Sequence, residues 1–497
     1  MKINKLFFLF SALIIVSCNE DFLEEFPTSY ITPEQIAEAS VVNPDLQAAT
    51  VAGIYESMYK YGTGSANDGF GRNDRDFGHR GYDIFGDMLS GDMALSAKNY
   101  GWYSELSELT ATVDYSEVNN YQTWRYFYRI VNLANIVIDG LGGTDATPES
   151  TSGKHYLGQA LAARAYGYFY LVNYFVNDIT TDSKSLPLYL DTSSPNVEKS
   201  STSVIMAAVV ADLIKAKNLL DDYTRPSASN IDKYVASTLL AYTYAAMGKN
   251  AEAAAEAEYV VTNSGYSVIT NAQATESGFN DINELSASVI WGTDLTTDSN
   301  QGLRSWWGTV DIYSYSYAWA GDRKIMDRGL YANIPADDVR KTQFLDNATS
   351  GYDMTPYKKF YHGDRVIGGQ RVVTTDYIYF RVAEMYLLHA ETKAKSGDEA
   401  AAKLSLKEVV SKRVPDASYI DALSGQALLD EILLQTRIEL WGEGKSYLSV
   451  KRNKLDVVRG SNWLDFPNTT FNSDDNRLTF EIPEEEIRDN PFVNEQN

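Results

Sequence analysis

The sequence predicts a mainly α-helical protein in which paired helices support an irregular, loop-rich face, and three observations carry that prediction. Apolar residues recur at helical spacing in several long segments. One pattern of small residues, A-x3-A-x2-G-x4-A, occurs twice, at Ala241, Ala245, Gly248 and Ala253 and again at Ala390, Ala394, Gly397 and Ala402. Between them, residues 276–378 are rich in Gly, Asp, Thr and aromatic side chains with few helical stripes, which reads as loops and short strands. With 497 residues, 44% of them hydrophobic, the chain has ample length for a large core.

The N-terminus reads as an export signal. Lys2 and Lys5 precede an apolar run from Leu6 to Val16 that is too short for a comfortable membrane span, so residues 1–17 are predicted to be a removable signal peptide. Cys18, the only cysteine, follows Ile15, Val16 and Ser17, and this resembles a lipobox. The resemblance implies that Cys18 becomes the first mature residue and carries acyl chains that anchor the protein in lipid without a spanning helix. A plain signal peptide with a chance cysteine is the alternative. Asn19, Glu20 and Asp21 resemble the acidic signal that sends some lipoproteins to the cell surface.

A tether over 18–45, with Pro27, Pro33 and Pro44, leads into a helical region over 46–275. Its first helix is expected over Asp45 to Tyr59. Trp124 to Ile138 places Phe127, Ile130, Val131 and Ala134 on one side, and Gln159 to Phe175 carries the stripe Leu161, Ala165, Tyr168, Val172 and Phe175. The repeated small-residue pattern resembles the spine of tetratricopeptide repeats, in which alanines let two helices approach and glycine ends the first; generic alanine-rich hairpins are the other reading. The irregular stretch 276–378 is a natural place for binding residues. A C-terminal region over 379–497 returns to helices, with segments at Asp376 to Lys395, Ala400 to Lys412 and Gly425 to Trp441.

Charge and motifs exclude several functions. A formal charge of −24 with no Lys/Arg-rich stretch disfavours nucleic acid. There is no G-x-S-x-G elbow, H-E-x-x-H helix or phosphate loop, and His79, His155, His362 and His389 lie far apart with no partner at ligand spacing. No metal site or cofactor is therefore predicted. Asn67, Asp68, Asn73, Asp74 and Asp76 offer oxygen ligands for a structural calcium but lack EF-hand spacing, and a plain turn is the reading adopted. Paired carboxylates of a glycosidase leave no motif, so hydrolysis remains an alternative. Glu439, Glu443, Lys451 and Arg452, beside Gly442 and Gly444, are assigned structural charge pairing.

The surplus of aromatic residues, 35 Tyr, 19 Phe and 8 Trp, points to recognition. Trp306 and Trp307 precede Tyr313, Tyr315, Tyr317 and Trp319, and an extended strand would set the last four rings on one face as a stacking platform for sugars. The same alternation also describes a strand packed into the core. A second candidate cluster, running from Arg80 to Tyr103, mixes Arg80, Tyr82, Asp92, Asn99, Tyr100, Trp102 and Tyr103.

Several segments together resemble the SusD/RagB family of nutrient-binding lipoproteins. They are the lipobox with Asp21-Phe22-Leu23-Glu24, Trp124 to Asp139, Gly158 to Tyr174, Asp376 to Ala394, Arg437 to Arg452, and the closing I-P-x-x-E-I-x-x-N-P from Ile482 to Pro491. The Lys445-Ser446-Tyr447 run after Gly444 departs from the family's usual pattern and blurs the subfamily. The resemblance implies a SusD-like fold with tetratricopeptide-like helix pairs and a lipid-anchored site on the outer membrane, facing the exterior. It also implies an oligosaccharide ligand and a TonB-dependent (SusC-like) barrel as partner, without bond breakage. Binding of peptides or another non-sugar nutrient is the further alternative.

Overall fold

The computed structural model describes residues 35, 39–40, 43–62 and 75–497. The signal segment, Cys18, most of the tether and the Asn67 to Asp74 loop lie outside the described residues.

Helices dominate, as the apolar stripes predict. Helix α1 (Ala48–Ser57) follows a tight Pro44–Gln47 turn in which the Asn43 side chain accepts the Asp45 N–H and Pro44 has no donor to leave unpaired. Next come α2 (His79–Leu89), β1 (Met93–Leu95), α3 (Val118–Gly140) and α4 (Thr151–Phe175), the last capped by Ser150 accepting the Gly153 N–H. Strands β2 (Lys184–Pro187) and β3 (Lys199–Ser201) pair antiparallel and lead into α5 (Thr202–Leu219). Helix α4 is buried at every residue from Leu157 to Phe175, more than its one-sided stripe implies, because α3 and α5 pack on it from different sides. Its buried Arg164 is met by Asp212 of α5 through two hydrogen bonds of 2.8 Å.

The two small-residue patterns form helix hairpins. Helices α6 (Lys233–Ala246) and α7 (Asn250–Asn263) turn at Gly248; beyond the irregular stretch, strands β4 (Val289–Thr293), β5 (Lys324–Met326) and β6 (Tyr377–Arg381) precede α8 (Val382–Lys395) and α9 (Glu399–Val410), which turn at Gly397. Gly248 and Gly397 take φ of 73° and 84°, and the next N–H reaches back to the carbonyl of Tyr244 or Lys393, closing each helix in the same way. Ala241, Ala253, Ala390 and Ala402 are fully buried where the helices meet. Helices α3 to α7 pack in succession, α8 packs on α7, and α9 and α10 (Gly425–Glu439) pack on α8. The helical stack thus continues across the irregular stretch.

One expected helix is corrected. Asp376 to Lys395 is not helical throughout, because Tyr377–Arg381 is strand β6, paired antiparallel with β4. Aromatic residues favour that pleated, buried setting. The helix starts only at Val382, where the Arg381 N–H donates to the Glu384 carboxylate.

Charge pairing around Glu439 and Glu443 reaches much further than the local helix end. Glu439 accepts from Arg381 (2.8 Å), Arg413 (2.8 and 2.9 Å) and Arg340 (3.2 Å), while Glu443 accepts from Arg381 (2.7 and 2.9 Å) and Lys359 (2.8 Å). All six side chains are buried. Burial opposes the charged carboxylates, but the surrounding cations win, holding Glu439 well below the usual range and Glu443 at about 2. Helix α11 (Lys445–Asn453) then runs on from this hub and packs against α2.

Replacing Glu439 with Ala leaves three buried guanidinium groups short of their counter-ion, and is expected to destabilise the fold by about 3–5 kcal/mol in urea unfolding. Glu198→Ala, which removes an exposed pair with Lys184, is expected to leave the midpoint unchanged. Because the folded carboxyl of Glu443 lies below its ordinary 4.5, its stabilisation is complete above about pH 5 and is lost as pH falls towards 2. Acid titration of the unfolding midpoint should show that loss, reduced in Glu443→Gln.

Candidate ligand-binding face

Two distant segments singled out by their aromatic content meet in space. Strand β1 pairs antiparallel with β5, Met93 opposite Met326 and Leu95 opposite Lys324, so residues 96–103 run beside residues 313–323. The joint is Asp322. Its buried carboxylate accepts the backbone N–H groups of Asn99 (2.6 Å), Tyr100 (3.0 and 3.1 Å) and Trp102 (3.3 Å). Below it, Lys324 donates to the Asp322 carbonyl, and burial pushes its ammonium down to about 7.

A third segment joins them. The N–H groups of Gly368, Gly369 and Gln370 donate to the carbonyls of Ile312 and Tyr313, and the Tyr315 N–H donates to the Gln370 carbonyl. The loop preceding Gln370 carries exposed Val366 and Ile367, with Val372 exposed just after it.

On this three-segment support stand the exposed rings. Tyr100 is 59% exposed, Tyr315 37% and Trp319 36%. Tyr315 and Trp319 lie 5.4 Å apart between centroids, and the guanidinium of Arg371 sits 4.4 Å over Tyr315. Tyr317, half-buried, contacts Tyr100 at 5.8 Å and half-buried Trp102 at 5.4 Å. A side chain at Gly368 would strike the Trp319 indole, so the glycine lets that ring lie flat against the loop. Asn99 is exposed beside these rings, its side chain packed against Gly321.

The expected extended strand over 313–319 is corrected. Asp311 accepts the N–H groups of Tyr313 and His362 and the Ser314 hydroxyl, and burial pushes its carboxyl up to about 7 despite these donors. Ser316 donates to the Asp311 carbonyl and accepts the Trp319 N–H, capping a short helical turn over Tyr317–Ala320. Local hydroxyl and carboxylate bonds therefore divert the backbone from a ladder. The rings do not share one strand face: Tyr315 and Trp319 form one pair, while Tyr317 joins Tyr100 and Trp102.

Five other expected contacts are buried. Trp306 and Trp307 are each 1% exposed; Arg80 lies 4.3 Å over Trp306, and the Trp307 indole N–H donates to the Asp376 carbonyl. Arg80 is held by Asp83 and the Gly442 carbonyl, and Tyr82 by Asp76 and the Gln122 carbonyl, both buried at the helical core. Tyr313 is also buried, in a small cluster with Ile312, Ala318 and Tyr361. None of these five reaches the exposed face, and neither do Asp92 and Tyr103, which are fully buried. Sequence reasoning missed Asp322 and Arg371; the Gly368-Gly369-Gln370-Arg371 run inside the irregular stretch was the available signal for the second.

Comparison with known proteins places the chain in a family. A model described as the SusD family matches residues 311–497, and one described as starch-binding associating with outer membrane matches residues 83–247. The chain belongs to the SusD family. Two curated relatives from Formosa agariphila match along nearly their whole length: SusD-like protein P25 is 23% identical over 100% of this chain and 99% of its own, and SusD-like protein P2 is 25% identical over 95% of each. Among solved structures, a SusD-like carbohydrate binding protein from Bacteroides vulgatus superposes with a TM-score of 0.75 at 22% identity, covering 90% of this chain and 96% of that one. Surface glycan-binding protein A from Bacteroides thetaiotaomicron, solved in complex with laminarihexaose, superposes with a TM-score of 0.64 at 15% identity, covering 90% and 98%. The helix-rich fold is thus common to this chain and the two solved structures. Among the described residues no helix is long and apolar enough to cross a membrane, and no group of His, Cys, Asp or Glu is arranged to hold a metal ion.

Asp322→Ala removes the acceptor shared by three backbone amides. Charge-assisted bonds of this kind are worth about 1.5–3 kcal/mol each, so amide exchange at Asn99, Tyr100 and Trp102 is expected to accelerate at least about tenfold. Exchange at the buried amides of α4 should stay unchanged.

Proposed function

We propose that this protein is a glycan-binding lipoprotein of the outer-membrane surface, which captures an oligosaccharide on the Tyr100, Tyr315 and Trp319 face and passes it to a TonB-dependent barrel. The observation that carries the reading is the exposure of large rings on a braced support. Soluble surfaces gain nothing in stability from displaying indole and phenol rings to water, whereas the apolar face of a sugar stacks on them. Arg371, Asn99 and the tyrosine hydroxyls supply donors and acceptors for sugar hydroxyls at the same place. The carbohydrate named for two similar solved structures supports that ligand class, and the outer-membrane association named by one family model supports the location. Anchoring through acylated Cys18 rests on the lipobox, and the barrel partner rests on the family resemblance.

The face offers binding without chemistry. Asp311, the strongly raised carboxyl nearest the rings in sequence, already accepts three hydrogen bonds from its own loop and is buried. A glycosidase needs two carboxyl groups flanking the scissile bond.

Affinity electrophoresis of the chain from residue 19 onward, in native gels cast with a panel of polysaccharides, tests this reading. Retardation by one glycan is expected, weakened at least about tenfold in Trp319→Ala and Tyr315→Ala, with no release of free sugar. Retardation by none would move the ligand to peptides or other nutrients, and sugar release would replace the binding role with hydrolysis.

A further inference from the structure

A cavity of about 380 Å³ opens far along the helical region, between the outer side of α3, the loop over 189–196 and Glu486 in the Glu484–Asp489 helix. It shares no residue with the ring-bearing face described above. From α3 it takes Tyr121, Arg125, Tyr128 and Asn132, which follow the i, i+4, i+7, i+11 spacing of one helix stripe. On a surface helix that stripe would ordinarily be charged; here two of its four side chains are half-buried tyrosines. Tyr189 meets Tyr128 edge-on at 5.9 Å, and Trp124 forms the floor.

Polar groups converge on the same space. The Trp124 indole N–H donates to one oxygen of Glu486 (3.3 Å) and the Asn490 amide to the other (2.7 Å), which leaves the carboxylate with further acceptor capacity. Arg125 donates one N–H to the Tyr121 hydroxyl (2.9 Å) out of the five that its guanidinium carries. Asn132 is exposed at the rim.

The walls are held in place. Asn135 donates to the carbonyls of Tyr189 and Asp191, Asp139 accepts the N–H and hydroxyl of Thr192, and Asn490 donates to the Val197 carbonyl. Each of these bonds ties the loop to α3 or to the C-terminal segment, so the cavity exists before any ligand arrives. Preformed clefts of about 300–1,000 Å³, lined by aromatic side chains with a few convergent polar groups, are the usual form of a small-molecule site.

We infer that this cavity is a second saccharide site, taking a neutral sugar unit between the Tyr121, Tyr128 and Tyr189 rings, with Arg125, Asn132 and Glu486 reading its hydroxyls. A neutral ligand fits better than an anionic one, since Asp191 and Glu486 outnumber Arg125, the one cation of the lining. This goes beyond the proposed function by giving one chain two points of attachment to a polysaccharide, which raises avidity through effective concentration without strengthening either contact.

Saturation-transfer NMR with methyl glycosides of glucose, galactose, mannose, xylose and N-acetylglucosamine, and their β-linked disaccharides, tests the site in a Trp319→Ala background where the first face is disabled. At least one of these probes is expected to bind still, and its affinity to fall about tenfold or more on adding Arg125→Ala or Asn132→Ala. Both are rim substitutions, and an unchanged thermal midpoint verifies that the variants fold. Loss of all binding in Trp319→Ala alone would overturn the second site and leave the first intact, as would residual binding indifferent to Arg125 and Asn132. Binding that responds to Arg125 but not to Trp319 would uphold the second site while removing the face proposed above.

Discussion

Burying Glu439 and Glu443 would be ruinous were their charges not met by Arg340, Lys359, Arg381 and Arg413, and this mutual neutralisation is the constraint on which the architecture rests. The four cations come from four separate parts of the chain: the Val339–Gln343 turn, the end of the irregular stretch, the last residue of β6 and the exit of α9. Each must arrive before the others are satisfied. Packing alone would tolerate shifts of these segments against one another; a desolvated ion cluster tolerates few. Arg381 has a double role, since it also begins α8 and closes the β4–β6 ribbon.

That ribbon matters because it sets where the irregular stretch leaves and rejoins the helices. With its base fixed, residues 294–376 fold as a layer of short turns whose outer edge carries the exposed rings. Asp322 then performs at the rim what the glutamates perform at the base, binding a distant segment through charge-assisted hydrogen bonds. Tyr103 buries one end of the 96–103 segment in the core, and the amide bonds to Asp322 hold residues 99–102 beyond it. Bonding through backbone amides leaves the Asn99 and Tyr100 side chains exposed.

Much of the scaffold was legible in the sequence. The stripes at Gln159 to Phe175 and Gly425 to Trp441 mark real helices, and the two A-x3-A-x2-G-x4-A patterns mark real hairpins, because helical periodicity and glycine turn chemistry act locally. The glutamates at the end of α10 were recognisable as structural, but their partners were not: Arg340 and Arg381 lie 99 and 58 residues from Glu439, a separation no spacing rule bridges. The candidate site was half legible for the same reason. Alternating rings over 313–319 announce an aromatic surface, yet Asp311 and Ser316 redirect the backbone, and the side that each ring faces follows from those bonds. Trp306 and Arg80 show the converse error: large polar-edged side chains near a site are as useful in a core, where Arg80 stacks on Trp306, as on a surface.

The proposed function requires three segments, 99–103, 313–322 and 366–372, to act as one glycan-binding face. Crystals of the protein grown with the oligosaccharide that retards it in native gels test this most directly. A sugar ring is expected to stack on Trp319 or Tyr315, with hydroxyls within hydrogen-bond distance of Arg371 or Asn99. Ordered sugar bound only elsewhere on the molecule, with these rings bare, would contradict it.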